Sequence, residues 1–274
     1  MIFIYKAWDE FCEKLYKKGI KSIQAKEVSN EMKSFLVLKH DVENNVSKAY
    51  ELANIEHKYG HRGTYYVQAY LLDDSKNVKL LNKMQKMGHE ITYHHDVMDS
   101  NKGDIKSAIQ EFSENKIKFE KNGFTVKTVC QHGNPIIERV GYSSNRDFFR
   151  NVDVQNLYPD IVDVMVNYKE KYKIDYIYYS DAGRKFNLIY DPINNDVINS
   201  DDKNIPFENL EILIDKLDDK SIISIHPHRW TKSTFSYILK EKSFKIIKGI
   251  AKSLIKIPLF KKIMSRYYYL AKKI

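Results

Sequence analysis

Three short stretches carry side chains able to do acid–base or metal chemistry: "KHDVENN", "GHEITYHHD" and "IISIHPHRW". In the first, Asp41 and Glu43 stand two residues apart. On an extended chain both then face one way, about 7 Å apart, with Val42 facing the other. Two carboxylates so placed can divide labour, one ligating a cation and one taking a proton from water. The second stretch offers His89, Glu90, His94, His95 and Asp96, and alternation sets His94 and Asp96 on one face with His95 opposite. Imidazole with carboxylate suits Zn²⁺ or a similar divalent ion, and three protein ligands with an open position mark a catalytic rather than a structural site. The third stretch ends a buried run in His226, and an imidazole there suits a general acid. Each pattern has an ordinary structural reading too: a helix cap, a histidine cluster, a capped strand end. Their joint occurrence at the ends of apolar runs favours one site at one edge of one sheet.

The elements that must position these groups alternate. A strand over 35–41 is followed by "NNVSKAYELANIEHKYG", with an Asn start signal, apolar Val46, Ala49, Leu52, Ala53, Ile55 and Tyr59, and Gly60 as a stop. "GTYYVQAY" reads as a strand, "NVKLLNKMQKMG" as a helix, "HEITYH" as a strand, "DIKSAIQEFSENKIKFEKNG" as a helix and "TVKTVCQH" as a strand. Beyond His132, "DVQNLYPDIVDVMVNYKEKY" is compatible with a helix or with loop pieces. "IDYIYYSDAGR" reads as a strand running into a turn, "FENLEILIDKL" as a helix and "KSIISIH" as a buried strand. Such alternation predicts an α/β chain of βαβ units, with a parallel sheet or barrel and polar groups at the C-terminal strand ends.

Composition agrees with a folded chain. Its 274 residues are 43% hydrophobic and 30% charged, and 10 Gly with 6 Pro argue against long linkers. That length accommodates one large α/β domain or two small ones. Two cysteines, Cys12 and Cys130, are too few for a disulfide framework or a thiolate metal site and read as small buried thiols. The N-terminus turns amphipathic too soon for a signal peptide, and no run of about 18 apolar residues predicts a membrane span. A cytoplasmic protein is expected.

The series "LVLKHDVE", "RGTYYV", "GHEITYHHD", "CQHGNP" and "IISIHP" resembles the polysaccharide deacetylase superfamily, the NodB-homology or carbohydrate esterase family 4 group. More narrowly it resembles a branch with an "HDVD"-type first motif and an "SDAGR"-like segment. The resemblance spans about residues 34–230 and implies a distorted (β/α) barrel that hydrolyses an N-acetyl group from a sugar with a divalent metal, Zn²⁺ or similar. Asp41 matches the family's base, and Val42 falls at its first metal ligand, with Glu43 the nearest substitute. His94 matches the first histidine of the second motif. Met98 stands at the second, leaving Asp96 or His95 as replacement. The third motif lacks its arginine, where His132 could serve, and His226 matches the catalytic histidine of the last.

The expected site is therefore Asp41 as base, His226 as acid, and Glu43, His94 and Asp96 as metal ligands. His132, Asp181, Arg184, Arg229 and Trp230 would contact substrate, Trp230 as a stacking face, and Asp181 and Arg184 would alternatively orient the base. The alternatives are a non-sugar amide substrate or a catalytically inactive glycan-binding pseudo-enzyme, the latter favoured by Val42 and Met98.

The net charge of +9 is confined to one end. Residues 231–274 hold 12 Lys or Arg and one acid, giving +11, so residues 1–230 sum to 9 − 11 = −2. Ile246, Ile247, Ile250, Ala251, Leu254 and Ile257 recur at helical spacing among lysines until Pro258. The expectation is a 1–230 catalytic domain with a basic amphipathic helical tail over 231–274. The tail would lie on an anionic membrane, on the inner face of the cell membrane, at roughly 1 kcal/mol per lysine near the surface. An N-acetylated sugar, or a lipid- or nucleotide-linked glycan of surface polysaccharide assembly, is the expected partner. No nucleic acid is expected, since the domain is slightly acidic and no base-reading motif occurs.

Overall fold

Runs rich in Val, Ile and aromatic residues alternate with capped amphipathic stretches, and the computed structural model turns this pattern into strands and helices. It describes residues 3–134, 137–182, 186–189, 192–194, 205–207 and 209–243. In chain order the elements up to the end of the fourth strand are α1 (Tyr5–Lys17), β1 (Ser22–Ile23), β2 (Phe35–Val42), α2 (Val46–Lys58), β3 (Thr64–Val67), α3 (Ser75–Lys86) and β4 (Glu90–His95). There follow α4 (Val97–Ser100), α5 (Ile105–Lys121), β5 (Thr128–Gln131), α6 (Asp147–Arg150), α7 (Val152–Leu157), β6 (Val162–Asp163) and α8 (Tyr168–Tyr172). The last are β7 (Ile177–Ser180), β8 (Phe186–Ile189), β9 (Ile205–Phe207), α9 (Leu210–Asp215) and β10 (Lys220–Ile225).

The strands form one sheet in the order β6-β5-β4-β3-β2-β10-β7-β8-β9, with β1 also on β2. Pairing is parallel from β6 to β7, and β8 and β9 are added antiparallel. The sheet curls into a half-barrel, so the fold is a distorted (β/α) barrel. Parallel strands deliver all their C-terminal ends to one rim, which is why residues far apart in sequence meet there.

Each strand sorts its side chains by alternation. On β2, Leu36 and Leu38 pack outward with Trp8, Phe11 and Ile223, while Phe35 and Val37 pack inward with Tyr66, Cys130, Tyr178 and Ile222. The inward column therefore runs Phe35, Val37, Lys39, Asp41, passing from apolar at the base to charged at the rim. Helices cover the outer face. Asn45, left-handed at φ 51°, caps α2 by accepting from the Lys48 amide, and α2 buries Val46, Ala49, Leu52, Ala53 and Glu56. In α5, Asp104 accepts from the Ser107 amide, and Ala108, Phe112 and Phe119 are buried, each phenyl contributing roughly 1.5–3 kcal/mol.

Two stretches differ in detail from expectation. "GTYYVQAY" is strand only to Val67 and then tightens into a 3₁₀ turn over Ala69–Asp73. The ambiguous segment after Asn151 resolves into α7, the two-residue β6 and α8. Buried Thr231 donates its amide to the Phe3 carbonyl and accepts from the Tyr5 amide, tying the chain that follows the last motif to the N-terminus. Helix then runs over 234–243, and the apolar tail positions from Ile246 onward lie outside the described residues. Among the described residues no helix is long and apolar enough to cross a membrane.

Candidate active site

At the rim, β2 presents Asp41, which is 7% exposed, and then Glu43 just beyond the strand. Lys39, one inward position below and 2% exposed, places its Nζ 2.5 and 2.6 Å from the two carboxylate oxygens of Asp41 and donates to Ser224 Oγ at 3.2 Å. Burial opposes ionisation of Asp41, but Lys39, with His94 and His226, outweighs it and holds the carboxyl below its usual range. Asp41 is thus an anion at neutral pH. Each of its oxygens keeps a lone pair beyond the one directed at Lys39.

His94 comes from β4, in register with Cys130 of β5. Its Nδ1 lies 2.9 Å from the Cys130 carbonyl, so Nδ1–H donates there and Nε2 is left with a lone pair. Burial pushes the His94 pKa down to about 3, so the ring is neutral, as a metal ligand must be. His132 follows β5, and its Nε2 is 3.4 Å from Glu43 Oε1. Burial opposes the charge on Glu43, while a hydrogen bond from His132 and the neighbouring imidazoles pull its pKa well below the usual value.

His226 leaves β10 with its Nδ1 2.5 Å from Asp181 Oδ1, while its amide donates to Asp181 Oδ2 at 3.0 Å. Asp181, fully buried after β7, also accepts from Arg229 Nη1 at 2.8 Å, and its carboxyl is held well below the usual range by Arg229 and His226 against the effect of burial. This arrangement turns His226 Nε2 toward the rim, 3.8 Å from both Asp41 Oδ2 and Glu43 Oε1. His228 Nδ1 approaches Glu43 Oε2 at 3.7 Å, and burial pushes the His228 pKa down to about 3.

Among the described residues, two groups of three ligand atoms lie within 4.8 Å of one another: Glu43–His94–His132 and Asp41–His94–Cys130. The first fits a divalent cation: a carboxylate and two imidazoles, with the outer nitrogen of His94 fixed by a backbone carbonyl. His132 adds a buried Nδ1 with no hydrogen-bond partner. The second is less suited, because the Lys39 ammonium already sits on Asp41 and burial keeps the Cys130 thiol protonated.

Asp96 belongs to neither group. Strand β4 ends at His95, and at Asp96 (φ −136°, ψ 30°) the chain turns into α4, so the alternation that would have placed Asp96 beside His94 stops one residue short. His95 points outward, where its Nε2 meets Asp163 at 2.9 Å among Phe112, Phe148 and Phe149. Met98 and Val42 are buried in that same outer core.

Trp230 is fully buried between Phe3 and Trp8, ring centroids 5.4 and 5.3 Å away, and has no face for a sugar. The stacking role expected of it is corrected: the 3₁₀ turn Pro227–Arg229 swings the chain after His226 back into the outer core. Arg229 is engaged with Asp181, and Arg184 lies outside the described residues. Lys39 was missed by motif reading, although its position two before Asp41 on a strand puts it on the same face. His132 was legible the same way, two beyond Cys130 on the inward series of β5.

No protein-family model and no curated protein matches the sequence. Among solved structures, the peptidoglycan deacetylase PdaC from Bacillus subtilis aligns with 15% identity over 89% of this chain and 98% of its own, at a TM-score of 0.41. A single-site mutant of it aligns with 12% identity over 82% and 99%, at a TM-score of 0.37.

Proposed function

We propose that the protein is a metal-dependent hydrolase that removes an N-acetyl group from a sugar. The observation that carries this reading is the convergence at one rim of a buried carboxylate, a carboxylate–imidazole cation seat and an Asp-oriented histidine, with His226 Nε2 3.8 Å from Asp41. Glu43, His94 and His132 would hold the divalent ion, Zn²⁺ by the chemistry of the donors. Bound there, it would polarise the acyl carbonyl and acidify water.

The chain's own residues do the rest. Asp41, ionised and fixed by Lys39, accepts the proton of the attacking water through a lone pair left open by the ammonium. Asp181, bound through both oxygens to His226 and braced by Arg229, fixes the ring so that Nε2 delivers a proton to the departing amine nitrogen. Acetate and a free amino sugar are the products. Acetate release from N-acetylated oligosaccharides tests the reading, and an inactive metal-loaded wild type would overturn it.

The partner surface follows from the basic end of the chain. Phe235, Ile238 and Leu239 recur at i, i+3 and i+4 on the helix over 234–243 and are 76%, 46% and 58% exposed, and the lysine-rich stretch follows them. An apolar stripe flanked by lysines suits the headgroup region of an anionic bilayer, which would hold the enzyme near lipid-linked glycans. Serine at all three positions should lower co-sedimentation with anionic vesicles, and unchanged binding would remove this part of the reading.

A further inference from the structure

His132 lies one residue beyond β5, on a loop, and a side chain on a loop is held only as well as its backbone. The His132 amide donates to the His95 carbonyl of β4 at 2.7 Å, which fixes one side of the residue. The other side is fixed from outside the sheet. The His132 carbonyl accepts from Asn145 Nδ2 at 2.8 Å, and Asn145 is fully buried just ahead of α6. Asn145 is in turn held by Asp99 of α4: its Oδ1 accepts the Asp99 amide at 2.9 Å, and its Nδ2 donates to Asp99 Oδ2 at 2.8 Å. The oxygen faces a donor and the nitrogen faces two acceptors, so a flipped amide would lose all three bonds.

Asp99 ties further points of the chain that leads from His132 to α6. Arg139 donates to both of its oxygens, Nε to Oδ1 at 2.8 Å and Nη2 to Oδ2 at 3.0 Å, and the same Nη2 donates to the Asn134 carbonyl at 2.8 Å. Such a bidentate pair is strong and directional. The Tyr142 hydroxyl adds a bond to Oδ1 at 3.1 Å, and its ring rests on Gly103, left-handed at φ 86°, where a Cβ would come 2.6 Å from it. Helix α4 itself is set on the sheet by Val97 and Met98, buried in the outer core. Among the described residues, neither group of ligand atoms at the rim includes a residue of α4. What α4 offers the rim is a fixed point for the loop that carries His132.

We propose that Asn145 and Asp99 are positioning residues for His132, so that the cation seat takes its third ligand from a loop locked to α4. The inference rests on that seat, and its test reads metal affinity rather than turnover. His132 Nε2 is 3.4 Å from Glu43 Oε1, and its ring stands perpendicular to that of His94 with centroids 5.2 Å apart. A backbone shift of about 1 Å is enough to spoil that convergence.

The experiment titrates Zn²⁺ into metal-free full-length protein in competition with a chromophoric chelator. The set is wild type, Asn145→Ala, Asp99→Asn, His132→Ala and the two double variants that combine His132→Ala with each of the others, with circular dichroism to show which are folded. Asn145→Ala should bind Zn²⁺ about 10–100-fold more weakly than wild type. Asp99→Asn should lose about tenfold, because its new amide hydrogens face donors of Arg139 with Tyr142 or Asn145, and it carries the test if Asn145→Ala does not fold. In the His132→Ala background either change should alter affinity by less than roughly twofold, since the residue they position is gone. A general loosening of the site would cost as much there as in the wild type. Wild-type affinity in the folded single variants, or an equal loss with and without His132, would overturn the proposal and leave the seat standing. Unchanged affinity in His132→Ala would remove the seat and this inference with it.

Discussion

Strand β2 carries titratable groups on both faces, and the two faces have opposite fates. Outward, His40 stacks on Tyr65 at 4.1 Å and sets its Nε2 2.8 Å from Glu56 Oε1, which also accepts from Trp8 Nε1, while Glu56 Oε2 accepts from the Tyr65 hydroxyl. Nearby, His89 accepts the Gly63 amide and donates to the Ala53 carbonyl, and Gly63 is needed there because a Cβ would come 2.7 Å from Glu56. His40, Glu56 and Tyr65 are at 0% exposure and His89 at 1%. Inward, Asp41 and Glu43 meet four histidines at the open rim, His94, His132, His226 and His228. The same residue types build a sealed bolt between α1, α2 and the sheet on one face and the proposed reaction centre on the other. Histidine–carboxylate pairing alone therefore says nothing about catalysis, and neither does an unpartnered buried nitrogen, since His40 Nδ1 is one as well; what decides is whether the groups face a place a ligand can reach.

The comparison breaks if the two faces can be exchanged by mutation. Asp41→Asn should lower kcat/KM for acetate release by roughly 10²–10⁴-fold with a circular dichroism spectrum and urea midpoint close to wild type. On the sealed face, Glu56→Ala removes the partner of a buried network and should cost about 3–5 kcal/mol in urea unfolding. Glu43→Gln should stay within about 1 kcal/mol of wild type in the same assay. A stable Glu56→Ala protein would remove the distinction. Next in size, Asp181→Asn should reduce kcat by roughly tenfold or more while changing KM little, because it frees the His226 ring without touching substrate.

The smallest effect sharpens the contrast through pH. His94 and His228 are held neutral down to about pH 3 in the folded protein but take up protons near 6.5 when unfolded. Between those values the unfolded state binds more protons, so stability falls as pH is lowered from about 6.5 toward 3. The depressed carboxyls Asp41, Glu43 and Asp181 act in the same direction, their contribution present above the unfolded carboxylate range and lost as pH falls from that range through their lower folded values. Urea midpoints at pH 7 and 5 should show the lower value at pH 5, with a smaller drop in His228→Asn.

How far the sequence reaches is visible in single residues. Periodicity located β2, β4 and β10 and the rim where they end, since an apolar run followed by titratable groups is a local pattern. Alternation failed at Asp96 because a strand's last residue is set by the helix that follows, and α4 begins one residue after His95. Trp230 was misplaced for a related reason: closeness in sequence to His226 says nothing about which way a 3₁₀ turn throws the side chain. Lys39 reads on sequence as a solubilising lysine, and its role appears only when Ser224 of the neighbouring strand and the aromatic interior close over it.

The central claim is that Glu43, His94 and His132 form the cation seat. Elemental analysis of protein purified without chelators, then reloaded with Zn²⁺ and desalted, tests it directly on wild type and on Glu43→Ala, His94→Ala, His132→Ala and Asp96→Ala. About one equivalent in wild type and in Asp96→Ala, with loss in the other three, is the predicted result. No bound metal in the reloaded wild type, or loss in Asp96→Ala with retention in His132→Ala, would contradict the account.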